Sequence, residues 1–420
     1  MSETNDQEIK HLKDLKPHQV KSGIAAWLGW LFDGLDMHLY TLVALPFVAT
    51  LMHLGAGDDQ VKEKASWIQA AFLFGWAIGG AVFGLIGDWI GRSRALILTI
   101  LTYAGFTGLS YFAQSWEQLL VFRFLAALGI GGEWAVGAAL LSETWPKTWR
   151  PWIAAVLQTG VNIGAMLAAF AAYVLSGYEH RVVFLVGLLP ALLTLWIRYA
   201  VPETEAWHEA KTKAKENKEK QPSGILDLFR GSVLRITLLT LSVCGMGLTA
   251  HWAFMFWCSQ HLRNLPEMKA LSPAELTGVV SFAMFVVLLS SIIGNFTSAI
   301  LSIRFGYRKA IVVMFLAYGV MMMWCYSVPR TMSEMWPFLI SIGVCQGVFS
   351  IFTMYLPPLF PVLIRTTGAG FCYNFGRIAA ATGVILFAII ENYTTALLMA
   401  GSLFIIASLL SLFLPDRTDE

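Results

Sequence analysis

Apolar runs long enough to cross a bilayer alternate with short polar connections along almost the whole chain. A spanning helix needs about 20 apolar residues at about 1.5 Å each. By that measure about twelve runs qualify. They lie near 22–50, 66–87, 94–113, 117–141, 152–176, 181–201, 232–259, 276–301, 309–328, 336–356, 366–390 and 393–414. Two longer polar stretches break the pattern. One is Met1–Lys21; the other is Pro202–Gly231, where Lys211, Lys213, Lys215, Lys218 and Lys220 stand among glutamates. The expected fold class is an all-α membrane protein of twelve transmembrane helices in two six-helix bundles. The expected divisions are a tail at 1–21, bundles at 22–201 and 232–414, a linker at 202–231 and a tail at 415–420.

Composition agrees. Of 420 residues, 57% are hydrophobic and 13% charged, about half the charged share of soluble domains. The basic residues form no array that could track phosphates, so no nucleic-acid partner is expected. Cys244, Cys258, Cys325, Cys345 and Cys372 fall in or beside apolar runs without CxxC spacing, which predicts buried reduced thiols. The first 21 residues lack the apolar core and cleavage site of a signal peptide. With both termini inside, inner segments hold roughly twenty basic residues and outer ones about six. Both termini and the linker are therefore expected on the cytoplasmic side of a multi-pass inner membrane protein.

The stretch Val121–Arg150 carries Arg123 and Glu133 inside an otherwise apolar span. They are roughly 15 Å apart along one axis, too far to pair with each other. Each ionisable group costs about 2.5–3.5 kcal/mol to insert, so each needs a partner on another helix or in a wet cavity. Span one supplies two carboxylates, Asp33 and Asp36, three residues apart on neighbouring parts of one face. Two carboxylates that close in a low dielectric resist ionising together, which suits a proton carrier.

The two halves are related. GLIGDWIGRSR (Gly84–Arg94) matches AILSIRFGYRK (Ala299–Lys309), and Pro146-x-x-x-Arg150 matches Pro361-x-x-x-Arg365; both matches are 215 positions apart. A shared offset points to a parallel repeat with its site at the interface of the halves. At that offset Gln158 and Asn162 of span five, four apart on one face, correspond to Tyr373 and Arg377 of span eleven. Asn374 lies on nearly the same face as Arg377. A guanidinium matches a carboxylate bidentately, so Arg377 is the first candidate to hold an anion. His251 is the offset equivalent of Asp36.

GLIGDWIGRSR resembles the loop motif of the major facilitator superfamily. That resemblance implies a cytoplasmic latch that favours the outward-facing state, with Asp88 and Arg92 as its ion pair. Ile303 stands where the second half would carry the Asp88 equivalent, so the latch is expected to be one-sided. Glu143 and Arg150, at the end of the Val121–Arg150 stretch, are expected to belong to it. GIGGEWAVGAALLSETWPKTWR and PPLFPVLIRTTGAGFCYNFGR are similar to the proton-coupled organic-acid carriers of the sialate and lactate symporter type. Asp36 matches the first-helix aspartate of proton-coupled sugar carriers, which stands opposite an arginine; here that is Arg123.

Proton coupling is expected at Asp36, Arg123, Glu133 and Asp33. Substrate binding is expected at Arg377, Gln158, Asn162, Tyr373, Asn374 and His251. The expected function is import of a small organic anion with protons, by a monomer in the lipid bilayer. A proton-coupled exporter of drugs or metabolites is the alternative. No HExxH, P-loop or strand-linked GxGxxG is present, so no enzyme, cofactor or metal is expected.

Overall fold

A backbone surrounded by lipid must satisfy its polar groups internally, and every regular element of this chain is a helix among the described residues. The computed structural model describes residues 11–55, 58–175, 177–216, 224–388 and 392–416. Residues 1–10, 417–420 and the end of the eleventh expected span lie outside them. The first half contains α1 (Pro17–Met52), α2 (Asp59–Ile90), α3 (Arg92–Ser110), α4 (Trp116–Thr144), α5 (Arg150–Val174), α6 (Val183–Val186) and α7 (Pro190–Ala200). The linker carries α8 (Glu205–Glu216). The second half contains α9 (Val233–Arg263), α10 (Pro273–Phe305), α11 (Tyr307–Tyr326), α12 (Met332–Cys345), α13 (Val348–Tyr355), α14 (Arg365–Ala388) and α15 (Tyr393–Ser411).

Helix starts follow their capping residues. Asp58, Ser115, Ser272 and Asn392 each accept a backbone N–H from the first turn of the helix they precede. Among the described residues nine helical runs are long and apolar enough to cross a bilayer, and α1 counts as a tenth when its two arms are joined. Helices also occupy the third and eleventh expected segments. The first of these, α3, is 19 residues long and opens on Arg92 and Arg94. Two expected spans are broken. The sixth is interrupted between α6 and α7, where Pro190 restarts the helix. The tenth divides at Gln346–Gly347, where Gly347 packs on the backbone of Gly294 in α10. It ends at Tyr355, ahead of a 3-10 turn at Pro357–Leu359, as the paired prolines predict.

The repeat seen in sequence recurs in local geometry. Gly91 and Gly306 both close a helix with positive φ, 106° and 84°, a conformation glycine adopts without steric cost. Arg150 Nε donates to the Trp145 carbonyl at 3.2 Å, and Arg365 Nε donates to the Phe360 carbonyl at 3.4 Å. Each of these arginines follows a 3-10 turn, Lys147–Trp149 and Val362–Ile364, and opens a long helix.

The halves meet along two interfaces, α2 against α14 and α5 against α10. At the first, helices approach closely because their facing positions are small. A methyl group on Gly80 would collide with Asn374, and one on Gly84 would lie 2.9 Å from the Thr367 backbone. All five cysteines are buried and free.

Candidate functional site

Arg377 projects from α14 into the interface with α2. Its side chain is buried, and its guanidinium carbon lies 3.9 Å from the ring centroid of Trp76 and 5.0 Å from that of Tyr373. One terminal nitrogen donates to Asn374 Oδ1, while Nε has no hydrogen-bond partner among the described residues. Asn374 is itself fixed by donating to the carbonyls of Gly370 and Gly131, at 3.0 and 3.3 Å. Tyr373 stacks on Trp134 of α4 at 4.0 Å between centroids, and Trp134 stacks on Trp30 of α1 at 6.4 Å. The indole nitrogens of Trp30 and Trp76 are buried without partners. The centre thus holds a cation stacked on aromatic faces, with unused donors beside it.

Glu133 enters the same centre from α4 and is fully buried. It presses against Gly29 of α1, where a β-carbon would occupy the place of its carboxylate. Among the described residues no hydrogen bond satisfies either oxygen. The polar side chains that face it are Asp33 of α1, one turn beyond Gly29, and Tyr103 of α3. Asp33 in turn interacts electrostatically with Arg377. Two carboxylates and one cation from three helices therefore share the centre.

Asp36 has a different environment from Asp33. Arg123 grips it bidentately, with Nη1 to Oδ1 and Nη2 to Oδ2 both 3.1 Å, and Thr107 of α3 donates to Oδ1 at 2.5 Å. Both charged side chains are fully buried, and the guanidinium carbon lies 4.8 Å from the Phe72 ring centroid. Sequence spacing alone made Asp33 and Asp36 neighbours that contend for one proton. Three residues turn a helix by about 300°, leaving the two side chains about 60° apart. That is enough to give Asp36 to Arg123 and Asp33 to Glu133.

At the end of the bundle that carries the linker, charges join the halves. Asp88 pairs with Arg92 at 3.1 Å. Its carboxylate also accepts backbone N–H groups of Thr366 and Thr367 at 3.2 and 2.9 Å, and the Thr367 hydroxyl at 2.6 Å. A carboxylate from the first half thus caps the N-terminus of α14 in the second. Glu143 receives Arg92 at 3.0 Å and Arg365 at 3.1 Å, and Arg92 also donates to the Val362 carbonyl at 2.6 Å. Ile303, in the place of Asp88, is exposed, and among the described residues no carboxylate makes the matching contact there.

The other expected residues are dispersed. Asn162 of α5 donates weakly to Ser291 of α10 at 3.5 Å, and Gln158 is half-buried one turn before it. His251 lies 3.4 Å from the Tyr318 hydroxyl and packs on Phe349, within the second half.

Several contributors were missed from sequence. Arg365 was visible as the repeat partner of Arg150, yet its role needed Glu143 beside it. Thr204 donates to Glu143 at 2.5 Å, and Glu203 accepts the Arg92 backbone N–H at 2.6 Å. They lie in a linker whose charge pattern read as solvated. Trp76, Trp134 and Tyr103 were indistinguishable from packing aromatics.

Residues 24–223 match the model of a family described as sugar (and other) transporters. The chain is 28% identical to the sialic acid transporter NanX of Escherichia coli, over 91% of this chain and 89% of that one. It is 29% identical to a probable 4-methylmuconolactone transporter of Cupriavidus pinatubonensis, over 94% and 90%. In fold it resembles the major facilitator superfamily transporter FucP in its outward conformation. The TM-score is 0.75 at 16% identity, covering 96% of this chain and all of that one.

Proposed function

We propose that the chain is a transporter of the major facilitator superfamily that imports a small organic anion together with protons by alternating access; the family-model match and the similarity to transporters support this reading. Arg377 carries the reading. It is a buried cation at the interface of the halves, stacked on Trp76 and left with a donor unused. A buried guanidinium without a carboxylate clamped to it is suited to a substrate carboxylate.

The substrate anion docks on Arg377, with Asn374 and Tyr373 positioning the guanidinium; Gln158 and Asn162 at the other interface and His251 in the second half reach the substrate when the halves rearrange. Protons travel on Asp33 and Glu133, whose buried side chains face each other in the centre. A substrate anion takes over the field of Arg377 from Asp33. A proton on the Asp33–Glu133 pair removes the negative charge that would oppose that anion. The Asp36–Arg123 pair couples the state of α1 to α4. Asp88, Arg92, Glu143, Arg365 and Arg150 form the latch at the linker end.

The proposed architecture is twelve spans in two bundles, 22–201 and 232–414, with tails at 1–21 and 415–420. The linker 202–231 and both termini face the cytoplasm of an inner membrane, and the unit is a monomer. The relatives' names support an organic acid as cargo, a sialic acid or a lactone-derived ring acid being the first to try. One proton with a monoanion moves no net charge, so uptake would follow the pH gradient at about 1.4 kcal/mol per unit. A second proton would add about 2.3 kcal/mol per 100 mV.

The test is uptake of radiolabelled acids into proteoliposomes under an inward pH gradient. Accumulation of one acid that collapses with a protonophore supports symport. Gradient-independent equilibration, or efflux of lipophilic cations instead, would overturn it.

A further inference from the structure

Away from the centre, the linker end of the first half holds a cavity of about 290 Å³. Arg94, Glu203, Trp207, His208, Lys211 and Lys215 line it. Three basic side chains, Arg94, Lys211 and Lys215, thus face one carboxylate. That carboxylate is already engaged: Glu203 accepts the backbone N–H groups of Arg92, Ser93 and Thr204. Lys211 donates to the Trp89 carbonyl at the end of α2 and lies 4.4 Å from the Trp207 ring centroid. Its ammonium is held below the ordinary lysine range, first by partial burial and then by Lys215, Arg94 and Arg92. The three cations crowd one another around the single carboxylate of Glu203.

Position narrows the ligand. Arg94 stands at the foot of an exposed face of α3 on which Leu98 and Leu101 follow at helical spacing, 41% and 45% exposed. Trp89 and Ile90, both exposed, flank it on α2. Amphipathic tryptophans and basic residues at the end of an apolar face mark the membrane–water boundary. A phosphate seated between Arg94, Lys211 and Lys215 would leave attached acyl chains running along Leu98 and Leu101. The volume sits at the low end for small-molecule pockets, enough for a headgroup.

We propose that this cavity binds the phosphate of an anionic phospholipid headgroup. The occupant fastens the linker helix to the ends of α2 and α3. The same helix also reaches the latch, because Trp207 Nε1 donates to the Asp88 carbonyl at 2.9 Å.

Full-length protein in detergent is titrated with phosphatidylglycerol or phosphatidylcholine, and retained lipid is read by native mass spectrometry. Wild type is expected to retain phosphatidylglycerol preferentially. Each neutralised cation near an anionic headgroup weakens binding about fivefold. Lys215→Gln alone, at an exposed position, should show one such step; Lys211→Gln with Lys215→Gln should show about 25-fold. Phosphatidylcholine retention should not change, and the unfolding temperature checks that each variant is folded. Equal retention of both lipids, or undiminished phosphatidylglycerol binding in the folded double variant, would overturn the proposal. Displacement of the lipid by equimolar inorganic phosphate would overturn the lipid assignment and identify a free-anion site. The readout is lipid binding, so it stands or falls independently of the transport reading.

Discussion

The guanidinium of Arg377 lies 3.9 Å from the ring centroid of Trp76, across the interface between the two halves. The corresponding positions of the repeat, Asn162 and Ser291, meet at the other interface through a 3.5 Å hydrogen bond. One contact thus occurs twice, once as a cation on an aromatic face and once as an amide with a hydroxyl. The asymmetry puts the positive charge on one side of the centre, facing the two acidic side chains of α1 and α4.

Arg377 should be required for substrate binding in a way that its charge alone does not explain. A hydrogen bond to a charged group contributes about 1.5–3 kcal/mol, or about 10- to 100-fold in affinity. Arg377→Lys keeps the charge and loses the planar fork, so its dissociation constant should rise about 10-fold. Arg377→Ala should lose about 100-fold. Calorimetric titration with the acid identified by uptake measures both.

Gly29 should accept a side chain only if the Glu133 carboxylate is displaced from its place. A β-carbon there would overlap the Glu133 carboxylate. Overpacking of this kind costs about 1–3 kcal/mol. Gly29→Ala should therefore lower the unfolding temperature, and adding Glu133→Ala should restore much of the loss. Equal melting of Gly29→Ala and wild type would contradict the packing described here.

Removing one member of the Asp36–Arg123 pair should cost more than removing both. Both side chains are fully buried. Breaking such a pair strands a charge, at about 3–5 kcal/mol, whereas replacing both partners with apolar groups is often neutral. Thermal melts of Arg123→Leu and of Asp36→Leu with Arg123→Leu test this. The double variant should melt higher than the single one and still lose gradient-driven uptake.

Asp88→Asn should loosen the linker end. The carboxylate holds Arg92 and accepts three hydrogen bonds from Thr366 and Thr367. Losing about 1.5–3 kcal/mol of that contact shifts a two-state equilibrium about 10- to 100-fold. Spin labels on the linker-end loops of the two halves should report a longer separation in Asp88→Asn. An unchanged distance distribution would show that the latch rests on Glu143 and its arginines.

Much of this molecule follows from the one-dimensional pattern. Apolar run length determines a helical membrane protein, because lipid admits only helices and closed barrels, and runs of about 20 residues fit the helix. The 215-residue offset marks equivalent positions, and the structure repeats them in Gly91 and Gly306 and in the bonds of Arg150 and Arg365. Charges inside apolar spans flag Asp33, Asp36, Arg123, Glu133 and Arg377, since each is too costly to insert without a partner. Tertiary packing decided which partner each one found. Helical spacing sets the face a side chain occupies but not the helix it meets. Asp33 and Asp36 therefore diverged to Glu133 and Arg123. Glu143 found Arg365, 222 residues away, and Trp76, an ordinary apolar residue in sequence, became the platform for Arg377.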